Sequence, residues 1–267
     1  MLEDPEIHAV FCTRGGYGSN YVVEYFSSPA VLRRLKRLPP RIVMGLSDVT
    51  TLLLFLHRKL GWVTFQGPML SGFADGETRY DRAVMEQVLS NASSGTTIAS
   101  DAASWREGIA EGRLLGGCLS LLVTTLGTPD EIDTRGAILL IEDIDEKPYR
   151  VDRMLFHLRK AGKFRGVKAF LFGEMVGCGK PPADELRDVI LEALDGLNVP
   201  VVFGLRFGHT TGGCLTLPLG VRARLVAGEK VELILLESAV SATRVEASRP
   251  IAGQAGLSVP TRRSTKR

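Results

Sequence analysis

The segment Arg41-Ile42-Val43-Met44-Gly45-Leu46-Ser47-Asp48-Val49 changes its periodicity in mid-course. Ile42, Val43 and Met44 form an apolar run of strand length, Leu46-Ser47-Asp48 reads as a tight turn, and residues 49–60 carry a helical pattern. The same arrangement occurs just upstream. Ile7-His8-Ala9-Val10-Phe11-Cys12 is a short apolar run, Arg14-Gly15-Gly16-Tyr17-Gly18 is a glycine turn, and a helical pattern follows through Val22, Val23, Tyr25 and Phe26. Two successive strand-turn-helix units imply an α/β protein with a parallel, doubly wound sheet.

Farther along, small and polar residues gather between Asn91 and Ser104. Residues 96–104 are therefore expected to link an α/β N-terminal domain (1–95) to a smaller, mixed α/β C-terminal domain (105–246). A chain of 267 residues has room for two such cores. In the second, helices are predicted over 119–126, 151–161 and 184–194, and strands over 137–141, 169–172, 199–203 and 231–236. Beyond about Glu246 the composition turns to Ala, Gly, Pro, Ser and Arg without periodicity, so residues 247–267 are expected to be a disordered tail.

Hydrophobic residues make up 45% of the chain and charged residues 24%, the balance of a packed globular protein. The net charge of +3 is partly owed to the Arg- and Lys-containing last residues, and the body is near neutral. No basic stripe with interleaved aromatics precedes that tail, which argues against a nucleic-acid partner. Cys12, Cys118, Cys178 and Cys214 lie far apart, a spacing that suggests neither a zinc site nor a disulfide framework. With no apolar run of about 18 residues and no basic region followed by an apolar one, neither a membrane span nor a signal peptide is predicted. The expected location is the cytoplasm.

Ser47 sits at the apex of its turn, where a strand-to-helix bend lifts a hydroxyl out of the sheet and aims the first helical amides beside it. A serine there can equally serve as a helix cap. As a nucleophile it needs a base, and the 4 histidines differ in promise. His57 lies on the same predicted helix, about 15 Å along its axis, too far to reach. His157 occupies a polar helical stripe, and His8 begins a strand whose other end carries the glycine turn. His209, after Phe207-Gly208 and before Thr210-Thr211-Gly212-Gly213, falls in a glycine-flanked loop just past a strand, a usual place for a base. The carboxylate that would orient it is drawn from Glu142-Asp143-Ile144-Asp145-Glu146, at the carboxyl end of the strand over 137–141; spacing does not choose among these acids. The Arg14–Gly18 turn lacks the spacing of a dinucleotide fingerprint, but amides of Gly15 or Gly16 could join that of Asp48 in an oxyanion hole.

Together these stretches resemble the LD-carboxypeptidase family of serine peptidases, which includes the microcin C immunity peptidases. The resemblance rests on R-G-G-Y-G-S at 14–19, G-L-S-D-V-T at 45–50, F-Q-G-P-M at 65–69, G-G-C-L-S-L-L at 116–122, L-G-T-P at 126–129, I-E-D-I-D-E-K-P-Y-R-V-D-R-M-L at 141–155 and G-H-T-T-G-G-C-L-T-L-P-L-G at 208–220. It implies a Ser47–Glu142–His209 triad, an oxyanion hole of the Asp48 amide with Gly15 or Gly16, and a site between the two domains. It further implies a cytoplasmic enzyme of peptidoglycan recycling that releases terminal D-alanine from murein tetrapeptides, works without metal or organic cofactor, and forms a homodimer. Arg14, Tyr149 and Arg150 are candidates for holding the substrate. Cys118 stands where the family commonly has asparagine, and Gln66 where it has histidine. The family also carries a strand-helix portion ahead of the point where Met1 falls, so the N-terminal domain is expected to lack its first strand and helix and to leave an apolar face uncovered. The alternatives are a peptidyl-nucleotide immunity peptidase and a truncated, non-catalytic remnant.

Overall fold

The computed structural model describes residues 1–74, 79–90, 94–179 and 184–241. The expected tail over 247–267 lies outside the described residues.

The first strand-turn-helix unit forms as its periodicity predicts. Strand β1 (Ala9–Phe11) leads through the glycine turn into helices α1 (Ser19–Ser27) and α2 (Pro29–Leu35), the latter opened by its proline. Strand β2 (Ile42–Gly45) leads through a 3₁₀ turn (Ser47–Val49) into α3 (Thr50–Leu60), closed by Gly61 in the left-handed conformation. Strand β3 (Thr64–Gln66) and the short helices α4 (Leu70–Ala74) and α5 (Arg82–Ser90) complete this region. β1, β2 and β3 pair in parallel and in sequence order. β1 is a sheet edge, and a largely apolar cavity of about 360 Å³ lies beside it, lined in part by Val10, Cys12, Phe26, Val43 and Leu56.

The stretch expected as a linker carries two strands instead, β4 (Thr97–Ser100) and β5 (Ala103–Arg106). They pair with opposite ends of a second sheet, so their small and polar residues are edge-strand residues. That sheet also contains β6 (Gly108–Cys118), β7 (Ala137–Glu142), β8 (Ala169–Phe172), β9 (Val201–Phe203), β11 (Arg222–Ala227) and β12 (Val231–Leu235), in the order β4-β12-β11-β6-β7-β8-β9-β5. The run β6-β7-β8-β9 is parallel, with crossovers by α6 (Leu119–Thr124), α7 (Pro148–Lys160) and α8 (Asp184–Ala193); the flanking strands are antiparallel. With eight strands against four among the described residues, the C-terminal sheet is the larger, because β4, β11 and β12 on one side and β5 on the other extend it beyond the parallel run.

The two sheets share material. Strand β10 (Leu217–Leu219), from the C-terminal half of the chain, pairs antiparallel with β3 and becomes the outer strand of the N-terminal sheet. Pro218 is tolerated because β10 is an edge. In the larger sheet β7 and β8 are buried along their whole length, and both end at the same side of the sheet. Their carboxyl ends are where a site is expected in such a sheet.

Candidate active site

Ser47 follows an extended Leu46 and has φ 63°, a left-handed backbone that costs a side-chain-bearing residue roughly 1–2 kcal/mol. The turn does not use the hydroxyl as a cap: neither the 3₁₀ segment nor α3 has a side-chain cap bond. Among the described residues the Ser47 hydroxyl makes no hydrogen bond, and the residue is half-buried. Gly15 packs directly on it, since a Cβ at Gly15 would stand 2.8 Å from Ser47 Cβ and 3.0 Å from Oγ. Only glycine fits that approach. Gly16, next in the turn, is exposed with φ 124°. The Asp48 carboxylate accepts the Ser19 N–H at 2.9 Å and so ties the serine turn to the first residue of α1. The amides that open the 3₁₀ turn and α3 are helix-start donors, a favourable environment for an anion.

Glu142, the last residue of β7, is completely buried. Its Oε2 accepts two hydrogen bonds from His209, from the backbone N–H at 2.9 Å and from Nδ1 at 2.8 Å. Carboxylate acceptance at Nδ1 places the ring proton there and leaves Nε2 with its lone pair. Gly208, with φ 73°, brings the loop this close; a Cβ there would lie 2.3 Å from Glu142 Cγ and Cδ. Burial of the imidazole disfavours its cation, but the hydrogen bond and charge of Glu142, with the charges of Asp143 and Asp145, outweigh that and raise the His209 pKa above the ordinary histidine value.

The other acids of the cluster have different partners. Asp143 Oδ2 accepts the Ser120 N–H at 2.8 Å at the start of α6, and burial raises its pKa. Asp145 is exposed, and Glu146 pairs with Arg150 at 3.4 Å. Register and burial single out Glu142 as the acid on His209, a choice that five consecutive residues in the sequence left open.

Strand β6 joins the serine turn to this pair. Thr50, three residues past Ser47, seats against Gly117 and accepts the Cys118 N–H on Oγ1 at 3.2 Å. Cys118 in turn is the register partner of Glu142. Cys118 is buried, its Sγ 3.3 Å from Ser120 Oγ, and burial pushes its thiol pKa strongly upward. Gln66 is also buried, and neither atom of its amide has a partner among the described residues.

Of the residues considered for substrate binding, Arg14 is exposed beside Gly15 and makes no ion pair among the described residues. Tyr149 and Arg150 are exposed on the first turn of α7, with Arg150 Nε donating to Tyr149 Oη at 3.3 Å. The remaining histidines are elsewhere: His57 Nδ1 lies 2.9 Å from the Trp62 carbonyl, while His8 and His157 are exposed. Sequence reading passed over Glu174, whose carboxylate accepts both the N–H (2.6 Å) and the hydroxyl (3.1 and 3.2 Å) of Thr211 in the histidine loop. Its one sequence signal is that it follows β8 as the acidic run follows β7. Among the described residues no helix is long and apolar enough to cross a membrane.

The LD-carboxypeptidase N-terminal domain matches residues 1–67 and the LD-carboxypeptidase C-terminal domain residues 111–225. A probable murein peptide carboxypeptidase of Bacillus subtilis (strain 168) is 35% identical over 240 residues, covering 88% of this chain and 73% of the relative. The crystal structure of muramoyltetrapeptide carboxypeptidase from Oxalobacter formigenes superposes with a TM-score of 0.75 at 30% identity, over 88% of this chain and 81% of that one. The microcin C7 self-immunity protein MccF, in complex with aspartyl sulfamoyl adenosine, gives 0.78 at 26% identity, over 90% and 79%. With both domains matched in order along one chain, this protein belongs to the LD-carboxypeptidase family of serine peptidases.

Proposed function

We propose that this chain is a serine LD-carboxypeptidase that hydrolyses murein tetrapeptides, releasing terminal D-alanine, with Ser47 as nucleophile, His209 as general base and Glu142 as its orienting acid. The observation that carries the reading is the double acceptance by the buried Glu142 Oε2 from His209. It fixes the tautomer and leaves Nε2 as the free base.

In the proposed reaction His209 Nε2 takes the proton from Ser47 Oγ as the oxygen attacks the carbonyl of the diamino acid. The tetrahedral oxyanion is held by the Asp48 amide and a glycine amide of the 14–18 turn. His209 then gives its proton to the departing nitrogen of D-alanine, and the acyl-enzyme remains. Water, deprotonated by the same imidazole, attacks the ester and restores Ser47. Ser47 and His209 are not hydrogen-bonded to one another in the structure; such bonds commonly tighten only around a bound substrate. A carboxypeptidase must also recognise a terminal carboxylate, and Arg14, exposed beside Gly15 and free of acidic partners among the described residues, suits that task better than Arg150, which Glu146 engages.

A murein peptide is favoured over a microcin-type substrate by likeness: 35% and 30% identity to the two murein enzymes against 26% to the immunity protein. The test is release of D-alanine from murein tetrapeptide by the wild type and by Ser47→Ala. The expected outcome is release by the wild type and a kcat lower by about 10⁴ to 10⁶ in the variant, with the fold kept. A variant of near-full activity would remove Ser47 from the mechanism.

A further inference from the structure

We propose that Glu174 is a second positioning carboxylate of this site, fixing the His209 loop through Thr211 so that the imidazole keeps its aim. The inference rests on the assignment of His209 as the base.

The loop needs fastening from both sides. Residues 208–213 include Gly208, Gly212 and Gly213, which confer wide backbone freedom, and Thr211 is exposed, so core packing does not hold it. Glu142 grips the segment at His209, and the Cys214 thiol reaches the Gly208 carbonyl at 3.5 Å. Past the histidine, Glu174 receives the Thr211 N–H and hydroxyl with both carboxylate oxygens in play. Hydrogen bonds to an ionised carboxylate are roughly twice as strong as neutral ones, and paired donors fix direction as well as distance.

The two carboxylates emerge side by side. β7 and β8 are parallel neighbours with Ile141 opposite Phe172, so Glu142 and Glu174 leave the sheet at the same end. Gly173 lies between them, and a Cβ there would approach Glu142 Cβ to 2.8 Å. Adjacent rigid strands thus hold a glycine-rich segment at two points, one on the base and one two residues beyond it. A shift of about 1 Å in a catalytic group can cost about 10²-fold in rate, so the second anchor is expected to appear in kcat.

The experiment compares wild type, Glu174→Ala, Glu174→Gln, Thr211→Val, His209→Ala and the Glu174→Ala/His209→Ala double variant. D-alanine release and the rate of Ser47 labelling by a fluorophosphonate are read, with folding checked by circular dichroism. Glu174→Ala is expected to lower kcat and labelling about 10- to 100-fold with KM changed less than about threefold. Glu174→Gln, which keeps one acceptor oxygen, should recover part of the loss, and Thr211→Val, which keeps the backbone N–H, should lose less. In the His209→Ala background, removing Glu174 should change labelling less than about twofold, because a residue acting through the base has nothing left to position. Equal effects of Glu174→Ala with and without His209 would overturn the inference and leave the proposed triad standing. Full labelling and turnover in His209→Ala would instead sink the triad itself. Should Glu174→Ala fail to fold, the Gln and Thr211→Val variants carry the test, and unchanged kcat in both would refute the role.

Discussion

His209 can accept a proton only while its Nε2 is free, so the electrostatics that orient it also set its working pH. Burial of the ring opposes protonation, yet Glu142, with Asp143 and Asp145 behind it, raises the pKa on balance. The acidic limb of kcat/KM is therefore expected above the ordinary histidine value of about 6.5. Replacing Glu142 with Gln should move that limb downward and reduce kcat by up to about 10⁴, as loss of the orienting acid does in related triads. A pH–rate profile of both proteins checks this, and limbs at the same pH would show that Glu142 does not govern the base. The stability linkage has the opposite slope from a salt-bridged acid. The folded state binds the imidazole proton more tightly than the unfolded chain, so this stabilisation is complete below about pH 6.5 and is lost as pH rises through the folded pKa. At this scale the sequence was partly legible. Ser47 and His209 could be placed just beyond strands by local pattern, but the acid between 142 and 146 could not, because the choice depends on which side chain β7 buries beneath the loop. Glu174 was invisible for the same reason: its partner lies 37 residues away in sequence.

Among the elements, those with local periodicity were readable and those made by distant pairing were not. The apolar stripe of α7 and the solid runs of β7 and β8 identify themselves, and the structure departs from their predicted bounds by three residues or fewer. β6 escapes that reading, because Gly-Ile-Ala-Glu-Gly-Arg-Leu-Leu-Gly-Gly-Cys mixes a half that alternates between half-buried and exposed with a half buried outright. β4 and β5 read as a linker in sequence because edge strands need few apolar residues. What β6 contributes is a seam: Thr50 Oγ1 of α3 accepts the Cys118 N–H where the serine-bearing unit meets the acid-bearing sheet. Thr50→Val preserves shape but leaves a buried N–H without its partner, a loss of about 1–3 kcal/mol. Thermal melts of the two proteins test it. An unchanged Tm would mean that the seam is held by packing alone.

For the molecule as a whole, the question is whether the two regions fold as one. Chains beyond about 150 residues often unfold in stages, and two regions matched by separate family domains invite that expectation. The topology argues otherwise. β10 leaves the C-terminal half to pair with β3, α3 packs against β6, and the buried core runs without interruption from Leu53 and Phe55 through Leu114 and Leu139. Unfolding the larger sheet would strip β10 from the smaller one and expose the face of α3, and unfolding the smaller one would uncover β6, so each region loses packing when the other is lost. The 2 tryptophans provide the means to ask, because Trp62 is buried after α3 whereas Trp105 stacks on Phe203 at 4.2 Å in the C-terminal sheet. Trp62→Phe leaves Trp105 as the reporter of one region, and Trp105→Phe leaves Trp62 as the reporter of the other. Urea titrations of the two variants, each followed also by circular dichroism, should give fluorescence midpoints that coincide with the far-ultraviolet midpoint of the same protein. A fluorescence transition at Trp62 that precedes loss of secondary structure, with Trp105 still native, would show that the serine-bearing sheet melts alone. The catalytic geometry would then depend on a docking equilibrium and not on a single cooperative fold.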